Sequence, residues 1–296
     1  MTLTTTFKVG GLTCHTLEGG RQRLDGGAMF GVVPRPLWER EIAPDERNRI
    51  PLAMRCLLVE HSVGLVLVDS GLGNKESEKF KQIYGIENAG HRGPTQLEDA
   101  LAELTFSPAD IRYVINTHLH FDHAGGNTKV GAPTAMAELS FPRATYVVQK
   151  REIDFASHTN ERTAASYLPH NWVPIAAAGR WQLVDGEAEV LPGIRVLPTP
   201  GHVPFHQSIV VADRGETACF LGDLVPTTAH LPLPWIMGYD LEPLVTLESK
   251  RHLLTRAEAE GWRLVFEHDP VRGVGRVVKD GKAFRFAPVD TPSGRA

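Results

Sequence analysis

The sequence segment INTHLHFDHAGG, residues 115–126, places four possible metal ligands within six positions. They follow the apolar segment YVINT, which predicts a β-strand, so they should lie at the carboxyl end of a strand, where open α/β sheets commonly bind ligands. Side chains two residues apart on an extended chain point the same way, so the first two histidines can share one target. The next two ligands fall in a turn that the following glycines permit, and they can face a second target. The four residues are His118, His120, Asp122 and His123.

Three later segments each carry one further possible ligand at or just past an apolar strand. TPGH ends in His202, FLGDL contains Asp223 and FEHD contains His268. With the first cluster they supply enough side chains for two adjacent metal ions. Imidazole and carboxylate groups suit zinc, iron, manganese or cobalt, and no cysteine lies nearby to indicate a thiolate site. A solvated loop is the alternative for the first cluster, but its spacing favours metal binding.

Composition and charge describe an ordinary folded protein and disfavour two classes of partner. The 296-residue chain has 42% apolar and 22% charged residues, and its net charge of -4, without a basic run, disfavours a nucleic-acid partner. No apolar stretch is long enough for a membrane helix, and the segment MTLTTTFKVGG lacks the features of a secretory signal. Three scattered cysteines indicate a reducing compartment rather than a disulfide framework. We therefore expect a cytoplasmic protein without a membrane partner.

The order of predicted elements indicates one α/β domain spanning residues 1–296. The segments MRCLLVEH and GLVLVDSG predict strands, TQLEDALAELT and LEPLVTLESKRHLLTRAEAEG predict helices, and RVVKDGKAFRFA predicts a hairpin. The glycine- and proline-rich residues from about 20 to 50 break any regular period. We expect them to form a long, partly ordered excursion that serves as a binding loop or lid. Residues from about 288 to 296 are expected to form a flexible tail.

The motifs THLHFDH, TPGH, LGD and EHD, in this order, resemble those of the metallo-β-lactamase superfamily over most of the chain. The resemblance implies a four-layer αβ/βα sandwich with two divalent metal ions at one edge, between two sheets. It also implies two ligand sets that share one bridging carboxylate. The first set is His118, His120 and His202, the second is Asp122, His123 and His268, and the bridge is Asp223.

Two further residues are expected to support the ligands without binding metal. Asp69 in VLVDSG matches an Asp-bearing strand end of the superfamily, and we expect it to orient a ligand or the cluster loop. A local turn at the strand end is the alternative for this residue. His206 follows His202 by four positions, and we expect it to form a hydrogen bond to the sheet or to a ligand.

Two metal ions that share an aspartate imply hydrolysis, because a bridging hydroxide can attack a carbonyl or phosphoryl centre. A cysteine would be expected in place of Asp223 in the best-known zinc β-lactamases, which disfavours that activity. The segments LDGGAMFGVVPRPLWE and DLVPTTAHLPLPWIMGYD resemble the quorum-quenching lactonases of the YtnP type. This resemblance implies opening of N-acyl-homoserine lactones, with Asp122 or a bound water supplying the proton to the leaving group.

The same two segments supply candidate pocket residues. An apolar wall suited to an acyl chain is predicted, although any one of its members is alternatively an ordinary core residue. Phe205 stands where many relatives have glycine, and it is expected to narrow the site. His230 and Tyr239 either donate to the carbonyl oxygen as negative charge develops or form structural hydrogen bonds. The predicted wall consists of Met29, Phe30, Trp38, Trp235, Ile236 and Met237.

Two rival functions stay open at this point. A phosphotriesterase or arylesterase of the methyl-parathion-hydrolase type shares the ligand pattern, since the same hydroxide attacks phosphorus. A non-catalytic, metal-containing ligand sensor would not need a complete set of seven ligands. By analogy, the chain is also expected to form a homodimer in which the N-terminal excursion crosses between subunits.

Overall fold

The computed structural model describes residues 2–131, 136–281 and 283–289. Its strands and helices follow one another in a mixed α/β order. The strands are β1 (Thr4–Val9), β2 (Leu12–Asp25), β3 (Arg49–His61), β4 (Gly64–Val68), β5 (Ile111–Ile115), β6 (Thr128–Lys129), β7 (Glu138–Leu139), β8 (Thr145–Gln149), β9 (Trp181–Val184), β10 (Ala188–Leu191), β11 (Ile194–Pro198), β12 (Gln207–Asp213), β13 (Glu216–Phe220), β14 (Arg263–Val265), β15 (Val274–Asp280) and β16 (Ala283–Pro288). The helices are α1 (Gly26–Phe30), α2 (Arg35–Trp38), α3 (Glu78–Tyr84), α4 (Gln96–Glu103), α5 (Phe121–Ala124), α6 (Lys150–Ser157), α7 (Val173–Ala177) and α8 (Pro243–Ala259).

Most of the strands form two seven-stranded sheets. The first has the order β1-β2-β3-β4-β5-β8-β9 and the second the order β10-β11-β12-β13-β14-β15-β16, while β6 and β7 pair separately. Each sheet contains neighbouring parallel strands among antiparallel ones: β4 pairs with β5 in the first sheet, and β13 with β14 in the second. Because the carboxyl ends of parallel neighbours lie at the same edge, the first sheet presents the ends of β4, β5, β8 and β9 side by side, and the second sheet those of β13 and β14.

The two sheets pack face to face, and helices cover their outer faces. In β4, Val66 and Val68 join the central cluster that also contains Ile209 and Phe220 of the second sheet. Leu67 points the other way, into a cluster with residues of α4. This is why the apolar run of β4 shows no polar alternation: both of its faces are buried.

The outer face of the second sheet is covered in the same way by α8, whose Leu253 and Leu254 pack against Leu264. The layers are therefore helix, sheet, sheet and helix, and the predicted four-layer architecture is confirmed. Among the described residues, no helix combines the length and the apolar character needed to cross a membrane.

The N-terminal excursion is shorter than the sequence suggests. After a bulge that follows Glu18, β2 continues to Asp25, where it pairs with the first residues of β3. Only residues 26–48 leave the sheet, and they are ordered by buried side chains such as Phe30 and Trp38. Of the expected C-terminal tail, residues 290–296 lie outside the described part of the chain.

Candidate active site

The seven predicted ligands lie at one edge of the sandwich, on loops that follow strand ends. His118 and His120 come just after β5, and α5 then carries Asp122 and His123. Asp223 lies in a 3-10 turn directly after β13, and His268 follows β14. His202 lies in the connection between β11 and β12. The parallel strands of the two sheets therefore bring the ligands that follow their carboxyl ends together across the sandwich.

The first ligand set converges on one point. Its four ligand atoms, one each from His118, His120, His202 and Asp223, all lie within 4.8 Å of one another. Nε2 of His202 is 3.2 Å from Nδ1 of His120 and 3.0 Å from Oδ2 of Asp223. Nε2 of His118 is buried and has no hydrogen-bond partner among the described residues. An unpaired nitrogen that faces three other ligand atoms is what a metal position requires.

The second set lies beside the first. Ligand atoms of Asp122, His123 and His268 also lie within 4.8 Å of one another. Nε2 of His123 is 3.3 Å from Nε2 of His268 and 3.8 Å from Oδ1 of Asp122. Oδ1 of Asp223 is 3.0 Å from Nε2 of His268, while its Oδ2 faces His202 of the first set. The carboxylate of Asp223 therefore has one oxygen toward each set, as a bridging ligand would.

Hydrogen bonds on the far side of the rings fix which nitrogen faces the site. Nδ1 of His268 is 2.9 Å from the carbonyl oxygen of Ala53, which can only accept, so Nδ1 carries a hydrogen. In the neutral ring, the lone pair of Nε2 then points at Oδ1 of Asp223, which also only accepts. Two acceptors 3.0 Å apart need a proton or a metal ion between them. The residues present therefore fit a site for two divalent metal ions.

The ligand histidines differ in their electrostatics. Burial acts to lower the pKa of His123, His202 and His268, but nearby carboxylates, Asp223 among them, outweigh it and raise the pKa, that of His268 to about 9, so a metal ion would displace a proton from these rings. Burial, together with neighbouring imidazoles, lowers the pKa of His118 and His120 well below the usual range. Burial acts to raise the pKa of Asp223, but the imidazoles of His202, His123 and His268 outweigh it and hold that pKa well below its ordinary value. Neutral imidazoles and an ionised carboxylate are the protonation states that bind metal.

Asp69 supports the cluster from the end of β4. Its carboxylate is fully buried and accepts hydrogen bonds from the backbone N–H and the hydroxyl of Thr117, at 2.8 and 2.7 Å. Its Oδ2 is also 3.0 Å from Nδ1 of His123, so it can hold that ring with Nε2 toward the site. Oε2 of Glu267, at 3.1 Å, is a second carboxylate beside the same Nδ1. Burial raises the pKa of Glu267 to about 8.

His206 supports Asp223 rather than joining the ligands. Its Nε2 accepts the backbone N–H of Asp223 at 3.1 Å, and its Nδ1 lies 2.9 Å from the hydroxyl of Thr199. Burial lowers the pKa of His206 to about 3, which keeps Nε2 free to accept. Gly222 makes room for this contact, because a Cβ at that residue would lie 2.7 Å from Nε2 of His206.

A cavity of about 400 Å³ opens onto both ligand sets. His120 and His202 of the first set line it, together with Asp122 and His268 of the second and Asp223 between them. The rest of its wall contains both apolar and polar residues. The apolar residues are Leu24, Ala28, Met29, Leu52, Phe121, Met237 and Leu241, and the other lining residues include Gln22, Tyr84, Arg162, Thr163, Ser166 and Tyr239.

Comparison with known protein families matches residues 51–268 to the metallo-beta-lactamase superfamily. This chain belongs to that superfamily. The match runs from β3 through the last ligand, so it includes the central strands of both sheets and all seven ligand positions. The resemblance first indicated by four short motifs is thereby confirmed.

Individual relatives are similar in sequence, in structure or in both. An N-acyl homoserine lactonase of Bacillus thuringiensis is 33% identical over 223 residues, which cover 74% of this chain and 82% of that protein. The crystal structure of a probable metal-dependent hydrolase from Staphylococcus aureus has a TM-score of 0.86 at 31% identity, covering 97% of this chain and all of that one. AidC, a dizinc quorum-quenching lactonase, has a TM-score of 0.80 at 20% identity, covering 98% of this chain and 99% of that one. At 20% identity, the similarity to AidC shows only that the two proteins share a fold.

Only part of the predicted acyl-chain wall lines the cavity. Met29 and Met237 do, but five other candidates do not, and their assignment is corrected here. Phe30 turns away from the cavity into a buried stack, with its ring 5.3 Å from Trp38, while the ring of Phe205 packs 6.3 Å from Phe155. The residues outside the cavity wall are Phe30, Trp38, Phe205, Trp235 and Ile236.

The two candidate hydrogen-bond donors, His230 and Tyr239, differ in whether they reach the cavity. His230 is buried, stacks on Phe30, and has both ring nitrogens engaged, with the hydroxyl of Thr227 and the carbonyl of Met29, each at 2.8 Å. It has no N–H left for a substrate, so the structural alternative holds for this residue. Tyr239 lines the cavity, and burial raises its pKa to about 12, so its hydroxyl remains a donor at neutral pH.

Three supporting residues of the site were not predicted from the sequence. Glu267 was identifiable only as the neighbour of His268 in FEHD. Asp240, in the segment GYD, lies 2.9 Å from Nδ1 of His202. Gln22 donates a hydrogen bond to Asp122 from β2, far away in the sequence. No local pattern marks Asp240 or Gln22, because both contacts depend on how distant segments pack.

Proposed function

We propose that this protein is a metal-dependent hydrolase that opens the ring of N-acyl-homoserine lactones. The observation that carries the proposal is the cavity in which both ligand sets meet an apolar wall. Its volume of about 400 Å³ lies within the range of roughly 300–1,000 Å³ that is typical of small-molecule sites. The 33% identity to a lactonase over most of the chain supports the same substrate class.

Different residues of the chain would bind the metal ions and act on the substrate. His118, His120 and His202 would hold one ion and Asp122, His123 and His268 the other, with Asp223 between them. When bound, the two ions supply Lewis acidity, which lowers the pKa of water and polarises a carbonyl oxygen. Tyr239 would donate a hydrogen bond to that oxygen as negative charge develops on it. Asp122 lies in the cavity wall, where its carboxylate would accept the proton released as water attacks the carbonyl and return it to the alkoxide formed by ring opening.

The cavity wall suits the two parts of such a substrate. The aliphatic side chains of Leu24, Met29 and Met237 would contact the acyl chain, and burying each methylene of that chain contributes about 0.8 kcal/mol. The polar lining residues, which include Arg162 and Ser166, would contact the lactone and amide groups. Of the six apolar wall residues expected from the sequence, Met29 and Met237 line this cavity.

We propose zinc as the metal, because imidazole and carboxylate ligands suit it, with iron, manganese and cobalt as the ions that elemental analysis must distinguish. We also propose a cytoplasmic location, which the free state of all three cysteines supports. The homodimer stays a prediction, and analytical ultracentrifugation tests it.

The experiment is a pH-indicator assay of metal-loaded protein with N-acyl-homoserine lactones of several acyl lengths. His118→Ala and Asp223→Ala should abolish hydrolysis while the far-UV circular dichroism stays close to that of the native protein. His252→Ala, an exposed histidine on α8, is the matched control and should keep full activity. No turnover with any acyl length would refute the substrate class. A higher kcat/KM for an aryl phosphotriester than for the lactones would favour the rival esterase.

A further inference from the structure

Gln22 lies next to the second ligand set although it comes from a different part of the fold. It is a residue of β2, opposite Leu52 of β3, and its side chain is 1% exposed and lines the cavity. Its Nε2 donates a hydrogen bond to Oδ2 of Asp122 at 2.7 Å. The other oxygen of that carboxylate, Oδ1, is the one 3.8 Å from Nε2 of His123. The two oxygens of Asp122 therefore have different partners.

Chemistry fixes the orientation of this amide. The carboxylate of a metal ligand is ionised and can only accept, so the end of Gln22 that faces Asp122 must be the N–H₂ group. The opposite end, Oε1, is buried and has no hydrogen-bond partner among the described residues. Because a buried acceptor without a partner costs stability, the amide is not explained by a contribution to the packing of β2.

We propose that Gln22 is a positioning residue for the second metal ion, and that it keeps Asp122 a ligand through Oδ1 alone. With Oδ2 engaged by the amide, the carboxylate cannot rotate about its Cβ–Cγ bond without breaking a buried charge-assisted hydrogen bond. Without the amide, either oxygen can turn toward the metal, and the position of the ligand is lost. Hydrogen bonds of this kind to ligating carboxylates typically affect metal affinity 10–100-fold.

The test is stepwise zinc binding by Gln22→Met, measured by competition with a chromophoric chelator. Methionine has a similar length but no donor. One of the two ions should bind about 10–100-fold more weakly, while the other keeps its wild-type affinity. Cobalt-loaded Gln22→Met should also show a changed d–d absorption for one ion only. The far-UV circular dichroism of the metal-free variant should match that of the metal-free wild type.

Gln149→Met is the matched control. Gln149 is also a buried glutamine, but it contacts Gly186 and Gln207 and none of the seven ligands. This substitution should leave both zinc affinities unchanged. If Gln22→Met does not fold, Gln22→Leu decides, because leucine also has no donor and adds no acceptor against Asp122. It should weaken the same ion to a similar extent.

Wild-type affinity for both ions in Gln22→Met or Gln22→Leu would overturn the proposal. Equal weakening of both ions would also overturn it, since that is the result of a purely structural role. The inference rests on the two-metal site of the proposed function and not on the lactone. A wild-type protein that binds two ions but opens no lactone refutes the substrate alone, whereas one that binds fewer than two ions refutes both.

Discussion

Replacing Asp69 by asparagine should weaken one metal ion selectively. Asp69 accepts three hydrogen bonds of 2.7 to 3.0 Å, two from Thr117 and one from Nδ1 of His123. Asparagine keeps one oxygen for the backbone N–H of Thr117 but puts an N–H₂ group against the N–H of His123. Two donors then face each other, which favours the tautomer of His123 whose Nε2 carries the hydrogen and cannot bind metal.

The size of the effect follows from these contacts. A hydrogen bond to a charged group contributes about 1.5–3 kcal/mol. A loss of this size corresponds to roughly 10–100-fold in metal affinity, the range known for residues that orient a ligating histidine. Glu267 also lies 3.1 Å from Nδ1 of His123 and can take over part of the interaction. We therefore expect a loss of about tenfold, which rises further in Asp69→Asn/Glu267→Gln.

Zinc competition titration of Asp69→Asn measures this loss directly. Asp99→Asn is the control, because Asp99 is another buried aspartate that accepts three backbone N–H groups but contacts none of the ligands. It should lower the free energy of unfolding and leave both zinc affinities unchanged. Wild-type affinity for both ions in Asp69→Asn would refute the assignment of Asp69 as the residue that orients His123.

Two further predictions concern stability. Trp38 is 1% exposed and its ring lies directly over Gly26, so Trp38→Ala should lower the free energy of unfolding by about 3–5 kcal/mol in urea denaturation. An unchanged urea midpoint would contradict the assignment of Trp38 to the core and favour its predicted place in a pocket wall. Burial lowers the pKa of Lys250 from 10.5 to about 7. Between these pH values the unfolded chain binds a proton at Lys250 that the folded protein does not, so the free energy of unfolding should fall as the pH drops from 10.5 to 7. Lys250→Met should flatten that dependence, and an identical slope in the variant would contradict it.

The metal ligands could be predicted because each is attached to a strand end that the sequence marks. Apolar runs such as YVINT and TACFLGDL predict strands, and the residue after the run is then placed at the edge of the sheet. The supporting role of Asp69 could be predicted in the same way, since β4 and β5 are parallel and their carboxyl ends lie side by side. These contacts follow from topology and need no knowledge of how side chains pack.

The cavity wall could not be predicted in the same way. Met29 and Phe30 are neighbours in α1, yet one lines the cavity and the other stacks on His230. Which of the two faces the cavity depends on the rotation of a five-residue helix, and that helix is too short to show a period. Gln22 was missed for a related reason, because the extension of β2 past its bulge had the composition of a loop.

Anomalous diffraction from crystals of zinc-loaded protein, collected at the zinc edge, tests the central claim most directly. We expect two peaks per chain, one within about 2.0–2.2 Å of nitrogens of His118, His120 and His202, and the other at similar distances from Asp122, His123 and His268. One oxygen of Asp223 should lie toward each peak. A single peak, or a cluster that stays empty at saturating zinc, would contradict the two-metal site and every reaction proposed for it.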